Sequence, residues 1–270
     1  MQLFEVCKPS TFKDYLACLN VLVEEANLEL SHEGLKVVSM DPSHVAMVEL
    51  ILPPAYFDKF NVGEPDKVGV NVKTLIQAMD KVGKDEPLSV DHEYTVKTIE
   101  TKDDLGNVVA TRQTREDEKL ILTLGWASDV QRKKIVPCLT PLDEEVPQPR
   151  IFFKSRTRMI TQVLKRILDD LDGEHVTIST DSDGITFSHN GDAYSESTPL
   201  RKDSDHILDH KVEEPVKTTY TKDYLAQITK AAVKVSEVVD LQFSQDMPIR
   251  VEAELPEGRL VYHVAPCIGI

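Results

Sequence analysis

Apolar residues recur at helical spacing in four stretches of the chain. Phe12, Tyr15, Leu16 and Leu19 fall at i, i+3, i+4 and i+7, with Lys13 and Asn20 off that face. Val72, Leu75, Ile76 and Met79 lie opposite Lys73, Gln77, Lys81 and Lys84. Ile160, Val163, Leu164 and Ile167 oppose Arg158, Gln162, Lys165 and Arg166, and Leu225, Ile228, Ala232 and Val235 oppose Lys222, Gln227, Lys230 and Lys234. Short alternating or β-branched runs bounded by Gly, Pro or Asp predict strands at 45–52, 120–124, 176–179 and 249–255. Glu33-Gly34 and Asp183-Gly184 sit between strand candidates and predict tight hairpin turns. Asp104-Leu105-Gly106-Asn107 reads as the tip of a longer hairpin inside a polar stretch, 101–118, expected to be mobile.

The same order of elements occurs twice. Gly34 and Gly184 are offset by 150 residues, and the 72–77 and 221–226 stretches match at an offset of 149. Two similar offsets in register predict a duplicated domain, each copy built as helix, strands, helix, strands. Between the copies, 140–149 holds three Pro and three acids and cannot be regular structure. The expected organisation is a domain over 1–138, a linker over 139–150 and a second domain over 151–270. Strands alternating with four helices in two copies predict an α+β fold with antiparallel sheets.

Composition adds a puzzle. The 270 residues hold 31 Lys and Arg against 46 Asp and Glu, a net charge of −15 that argues against nucleic acid. The charge is uneven, however. Residues 8–20, 72–84, 154–168 and 221–236 carry +1, +2, +5 and +2, which leaves −25 for the other 213 residues. Lys and Arg are ordinary solvated helix residues, so any one such face is unremarkable. Four together in an acidic chain predict a basic face that holds a polyanion and an acidic remainder that repels it. No apolar run reaches membrane-spanning length, and the N-terminus lacks a signal-peptide pattern, so a cytoplasmic protein is expected.

Catalytic and metal motifs are missing. Cys7, Cys18, Cys138 and Cys267 show no CxxC spacing, which predicts free thiols in a reducing compartment. His206 and His210 are four apart but have no third ligand or HExxH context, so no metal and no cofactor is expected. Glu144 and Glu145 lie in the Pro-rich linker as solvated charges, and there is no GxxxxGK[ST], GxGxxG or GxSxG. With only 6% aromatic residues, contact with nucleic acid should be to phosphates and blind to sequence. A two-domain enzyme with an unrecognised site is the rival from another class.

At Ser39-Met40-Asp41-Pro42-Ser43-His44-Val45-Ala46-Met47-Val48-Glu49-Leu50 the sequence resembles the sliding clamps of archaea and eukaryotes, the proliferating cell nuclear antigen family. The resemblance continues at Val68-Gly69-Val70-Asn71-Val72, Asp246-Met247-Pro248-Ile249, Gly258-Arg259-Leu260 and Ala265-Pro266, with an archaeal cast. It implies a non-enzymatic processivity factor: a ring of three subunits, helices lining the hole around duplex DNA, sheets outside, in the cytoplasm or at the nucleoid. One subunit of a heterotrimeric or checkpoint-type clamp is the alternative within the family.

The resemblance also implies roles. DNA-facing residues would be Lys13, Lys73, Lys81, Lys84, Lys165, Arg166, Lys222, Lys230 and Lys234, with Arg156 and Arg158; Asp14 and Asn20 stand where bases are usual. Peptide motifs of DNA polymerase, clamp loader, flap endonuclease and DNA ligase would enter an apolar pocket. Its walls would be Met40, His44, Val45, Met47, Leu142, Val146, Pro147, Pro248, Ala265, Pro266 and Ile268. Without the resemblance, Met40 and Val45 suit plain core packing equally well. His263 replaces an aromatic residue and Cys267 a basic one, which opens the peptide preference and its pH or redox sensitivity to change. Subunits would join through an edge strand near 131–139, with Arg132, Lys133 and Lys134, and another near 183–191, with Asp181 and Asp183 facing that basic run.

Overall fold

Every helix follows directly on a strand, and the pattern occurs twice. The first half runs β1 (Gln2–Val6), α1 (Pro9–Leu19), β2 (Glu25–Ser31), β3 (Gly34–Met40), β4 (Ala46–Leu52), β5 (Lys59–Phe60), β6 (Asp66–Asn71), α2 (Val72–Ala78), β7 (Leu88–Lys102), β8 (Val108–Leu124) and β9 (Arg132–Pro137). The second runs β10 (Ser155–Ile160), α3 (Thr161–Asp170), β11 (His175–Asp181), β12 (Gly184–Asn190), β13 (Ser195–Arg201), β14 (Ile207–Val212), β15 (Val216–Thr221), α4 (Lys222–Ala232), β16 (Val238–Phe243), β17 (Ile249–Glu254) and β18 (Arg259–Val264). This computed structural model describes all residues except 81, 84–85, 103–107, 127–128, 144–145, 147–150, 192–193 and 270.

The strands form three antiparallel sheets. One is β5-β1-β7-β8-β9, one is β13-β12-β11-β15, and the largest is β14-β10-β16-β17-β18-β4-β3-β2-β6. The nine-stranded sheet crosses from one half to the other where β18 pairs β4, from Arg259↔Ile51 to Val264↔Ala46. Alternation along these strands puts Leu260, Tyr262 and Val264 with Ala46, Val48 and Leu50 in the core. The helices lie on that side: Tyr262 donates its hydroxyl to Cys18 O of α1 at 3.0 Å. They form one layer, with α1 beside α2 and α4, and α4 beside α3. Arg259, Val261 and His263 therefore point to the opposite side of the sheet.

The duplication extends to backbone detail. Gly34 and Gly184 open equivalent strands, and a Cβ at either would sit 2.1 Å from a carbonyl oxygen, of Leu52 and Leu200 respectively. Both halves also close alike. The N–H of Leu139 donates to Gly69 O, and that of Cys267 donates to Thr219 O, each at 2.8 Å. Asn27 then holds the start of the linker, accepting from Leu142 N at 2.9 Å and donating to Leu142 O at 2.8 Å.

Two local expectations are corrected. The stretch read as the start of the third helix is strand β10, and the helix begins only at Thr161. An alternation Ser155, Thr157, Met159 inward and Arg156, Arg158 outward overlaps the helical period over so short a run. Residues 101–102 and 108–118 belong to long strands, paired from Leu88↔Leu124 to Lys102↔Val108. β7 and β8 thus outgrow their counterparts β16 and β17 as a two-stranded ribbon, whose polar side chains reflect exposure on both faces. The 104–107 tip lies outside the described residues.

Candidate nucleic-acid interface and partner groove

The outward side of the helix layer carries exposed cations. Lys73 on α2, Arg166 on α3, Lys230 on α4 and Lys234 just beyond it all face solvent. Other expected cations are engaged: Lys13 pairs with Asp80, Lys165 with Asp169 one turn on, and Lys222 donates to Leu171 O. Lys81 and Lys84 lie outside the described residues. Asp14 shares the groove between α1 and α4 with Lys230 and Lys234. Within their observed bounds α1 has one charge of each sign, α2 one Lys, α3 two of each sign and α4 two Lys and one Asp. The helices themselves are thus only slightly positive, and the +10 of the broader windows came largely from flanking strands and turns. Lys8, immediately before α1, is also exposed.

Arg156 and Arg158 do not belong to this face. They alternate with buried Ser155, Thr157 and Met159 on β10 and so point away from the helices. Arg156 Nε donates to Asp240 Oδ2 at 2.7 Å, and Arg158 donates to Glu254 Oε2 at 2.6 Å. The Arg158 hydrogen bond holds the Glu254 carboxyl below its ordinary value. Both cations are neutralised on the outer sheet surface.

The presumed subunit edge also moves. β12 has β11 on one side and β13 on the other, so Asp183–Gly191 is not an edge. Asp181 instead caps the β11–β12 turn, accepting from Asp183 N at 2.8 Å and Gly184 N at 3.2 Å. Edge strands include β9, with Arg132, Lys133 and Lys134, and β13, with Glu196, beside β5, β6, β14 and β15. β13 alternates weakly and carries Pro199, which hid it from periodicity.

The structure brings only part of the expected pocket set to the place where the two halves meet. Met40, Met47, His263 and Arg250 form a cross-strand row on the outer sheet face through β3, β4, β18 and β17. Val45 O accepts from Ala265 N at 2.8 Å, and Pro266 bridges Tyr220. A groove of about 570 Å³ is lined by Met40, Asp41, His44 and Leu142, with Glu24 and Glu25 at its side. Pro248 leads into β17, Val146 is half-buried, and Ile268 is 78% exposed. Cys267 Sγ lies 3.4 Å from Thr221 Oγ1; Pro147 lies outside the described residues. Met47 is buried, so its part in any pocket is the floor. His263 Nδ1 is buried without a hydrogen-bond partner. Burial, with Arg250 and Arg259 nearby, pushes its imidazole down to about 4.

Two family models match the two halves. Residues 3–121 match the N-terminal domain of proliferating cell nuclear antigen, and residues 149–267 match its C-terminal domain. The chain belongs to the proliferating cell nuclear antigen family. Among relatives, it is 27% identical over 258 residues to "DNA polymerase sliding clamp 1" of Thermococcus kodakarensis, covering 94% of each chain. It is 26% identical over 251 residues to "DNA polymerase sliding clamp 1" of Pyrobaculum aerophilum, covering 92% of this chain and 91% of that one. The fold matches a chain of the PCNA2-PCNA3 complex from Sulfolobus tokodaii with a TM-score of 0.80 at 21% identity, over 98% of this chain and 99% of that one. In this proliferating cell nuclear antigen family member the groove at the junction of the halves begins just beyond α1, where Val21 lines both it and the groove between α1 and α4.

Proposed function

We infer that the protein is a DNA sliding clamp, a ring that encircles duplex DNA and tethers DNA polymerase and other replication proteins to it. One observation carries the ring. Inside the chain, β18 of the second half pairs β4 of the first, while the equivalent edges, β9 and β13, stay open. The junction used once within the chain is therefore available again between chains, and head-to-tail repetition gives a ring where the rotation closes, at three copies as the family resemblance implies.

The internal symmetry supplies a register. Val136 corresponds to Val264, since Leu139 and Cys267 close their halves alike, and Leu200 corresponds to Leu52. Transferring the β18–β4 register puts Lys134 opposite Glu196 and Arg132 opposite Thr198 of the next copy. Six helix pairs would then line the hole with Lys73, Arg166, Lys230 and Lys234 toward phosphate. Contacts of that diffuse kind hold DNA without reading its bases and let the ring slide. The acidic remainder keeps DNA off the outside. Peptide motifs of polymerase, clamp loader, flap endonuclease and ligase would dock over Met40, His44, Val45, Leu142 and the Ala265-Pro266 segment.

Light scattering tests the assembly. A homotrimer has a mass of roughly 91 kDa, three times the 30.4 kDa chain, and stimulates a cognate polymerase on primed circular DNA. A monomer that forms rings only with paralogous chains would replace the homotrimer with a heterotrimer. A monomer without any stimulation would sink the homotrimer, and one that also forms no ring when mixed with paralogous chains would overturn the clamp itself.

A further inference from the structure

Where β6, β7, β8 and the end of β9 meet, a polar cluster lies apart from both the helix layer and the groove. His92 is 2% exposed. Its Nε2 lies 2.8 Å from Glu118 Oε1. Its Nδ1 lies 3.2 Å from Asp66 Oδ2 but makes no hydrogen bond, so this buried nitrogen is left without one. Cys138, the first residue after β9, brings its thiol to the same place: the ligand atoms of His92, Glu118 and Cys138 all lie within 4.8 Å of one another. Arg115 holds the far side, 2.7 Å from Asp66 and 3.1 Å from Glu118, with its guanidinium 4.3 Å from the Tyr94 ring centre.

We propose that His92, Glu118 and Cys138 bind a divalent transition-metal ion of the zinc class. The donor set decides the class. An imidazole nitrogen, a carboxylate oxygen and a thiolate sulfur suit Zn²⁺ or Co²⁺, whereas Mg²⁺ and Ca²⁺ take oxygen ligands. Spacing agrees. Bonds of about 2.0–2.3 Å at tetrahedral angles put ligand atoms roughly 3.3–3.6 Å apart. The 2.8 Å His92–Glu118 separation and the 4.8 Å outer limit bracket that range, so small side-chain rotations close the site. Water takes the fourth position.

Charge agrees as well. Arg115 faces two carboxylates, so one of their two negative charges has no arginine to offset it, and a divalent ion bound through one thiolate adds one positive charge there. On binding, the thiol of Cys138 loses its proton to solvent and the sulfur electron pair forms the metal bond. No oxidation state changes. The bound ion would tie β7 and β8, at the root of the long ribbon, to the residue where the linker departs. The spacing of 92, 118 and 138 resembles no sequence motif; antiparallel pairing of β7, β8 and β9 alone assembles these residues.

Co²⁺ added to chelator-treated full-length protein tests the site without reference to DNA or partner peptides. The expected result is a thiolate-to-cobalt charge-transfer band with intense visible bands of four-coordinate cobalt, saturating at one ion per chain and bleached by Zn²⁺. Cys138→Ser should abolish the charge-transfer band with circular dichroism unchanged, and His92→Gln should weaken binding more than about tenfold. A Cys7→Ser variant should bind Co²⁺ as the parent does. Absence of the band at millimolar Co²⁺, or its persistence in Cys138→Ser, would overturn the proposal.

Discussion

Tyr224, on the second half's α4, donates its hydroxyl to Asp41 Oδ2, in the β3–β4 turn of the first half, at 2.8 Å. Asp41 is buried, and its carboxylate also accepts from Ser43 N at 3.0 Å, Val45 N at 2.7 Å and Ala46 N at 2.6 Å. Burial raises the carboxyl pKa, but the three backbone donors and the Tyr224 hydroxyl outweigh it and hold the group below its ordinary value of 3.8. One carboxylate therefore shapes the turn that carries His44 and fastens the two halves. Asp41→Asn should destabilise the fold by about 1–3 kcal/mol and Tyr224→Phe by about 1 kcal/mol in urea titrations. Because the folded pKa is depressed, this stabilisation is complete above pH 3.8 and is lost as pH falls through the lower folded value. Asn at 41 should remove that part of the acid dependence; an unchanged pH profile would mean that the carboxylate charge plays no part.

Much of this architecture was legible because it repeats. Phe12, Tyr15, Leu16 and Leu19 are all buried, as their spacing required, and the turns before Gly34 and Gly184 are held by carbonyls that leave no room for a side chain. What periodicity could not separate was a six-residue strand running straight into a helix. Arg156 and Arg158 looked helical but sit on β10, and their neutralising partners Asp240 and Glu254 are about 80–100 residues away in sequence. The edge at β13 was likewise hidden, because being an edge depends on which strands fail to pair. The candidate partner residues came from resemblance, and the pairing of Met47 with His263 from the β4–β18 junction, which no local pattern announces.

The transferred register makes the subunit contact testable by charge exchange. Lys134→Glu places two acids opposite each other at every junction, and cross-strand charge pairs contribute about 0.2–1 kcal/mol each. The concentration at which the trimer dissociates should rise about three- to tenfold. Adding Glu196→Lys should restore it in sedimentation velocity runs. Asp181→Lys, within the β11–β12 turn, should leave association as it was. If the Asp181 variant dissociates and the Lys134 variant does not, β12 rather than β13 makes the contact.

Salt dependence separates cations that meet DNA from those that only brace the sheet. Each phosphate contact contributes a slope of about −0.9 to the logarithm of affinity against the logarithm of salt. Replacing Lys73, Arg166, Lys230 and Lys234 by Ala removes these cations from all three subunits and should flatten the slope by up to about eleven, if each meets one phosphate, and leave the trimer intact. Arg156→Ala with Arg158→Ala should leave the slope unchanged while lowering stability, since Asp240 is buried and loses its partner. Equal flattening by the two sets would show that the outer sheet face also holds DNA.

His263 could make the groove a pH sensor only if its imidazole titrated near neutrality. Burial, reinforced by Arg250 and Arg259, lowers its pKa from 6.5 to about 4, so the ring that faces Met47 across β18 and β4 is neutral under ordinary conditions. The sign for stability follows. In the unfolded chain the imidazole takes its proton near 6.5 and in the folded chain only near 4, so stability is full above 6.5 and declines as pH falls between those values. His263→Phe should flatten that decline in thermal melts at a series of pH values. Between about pH 8 and pH 5.5 the pH dependence of affinity for a clamp-binding peptide, measured by fluorescence anisotropy, should be the same in His263→Phe as in the parent protein, because no proton enters a group of this pKa there. A parent affinity that drops near pH 6.5, with no such drop in His263→Phe, would make the imidazole a working switch and contradict its burial.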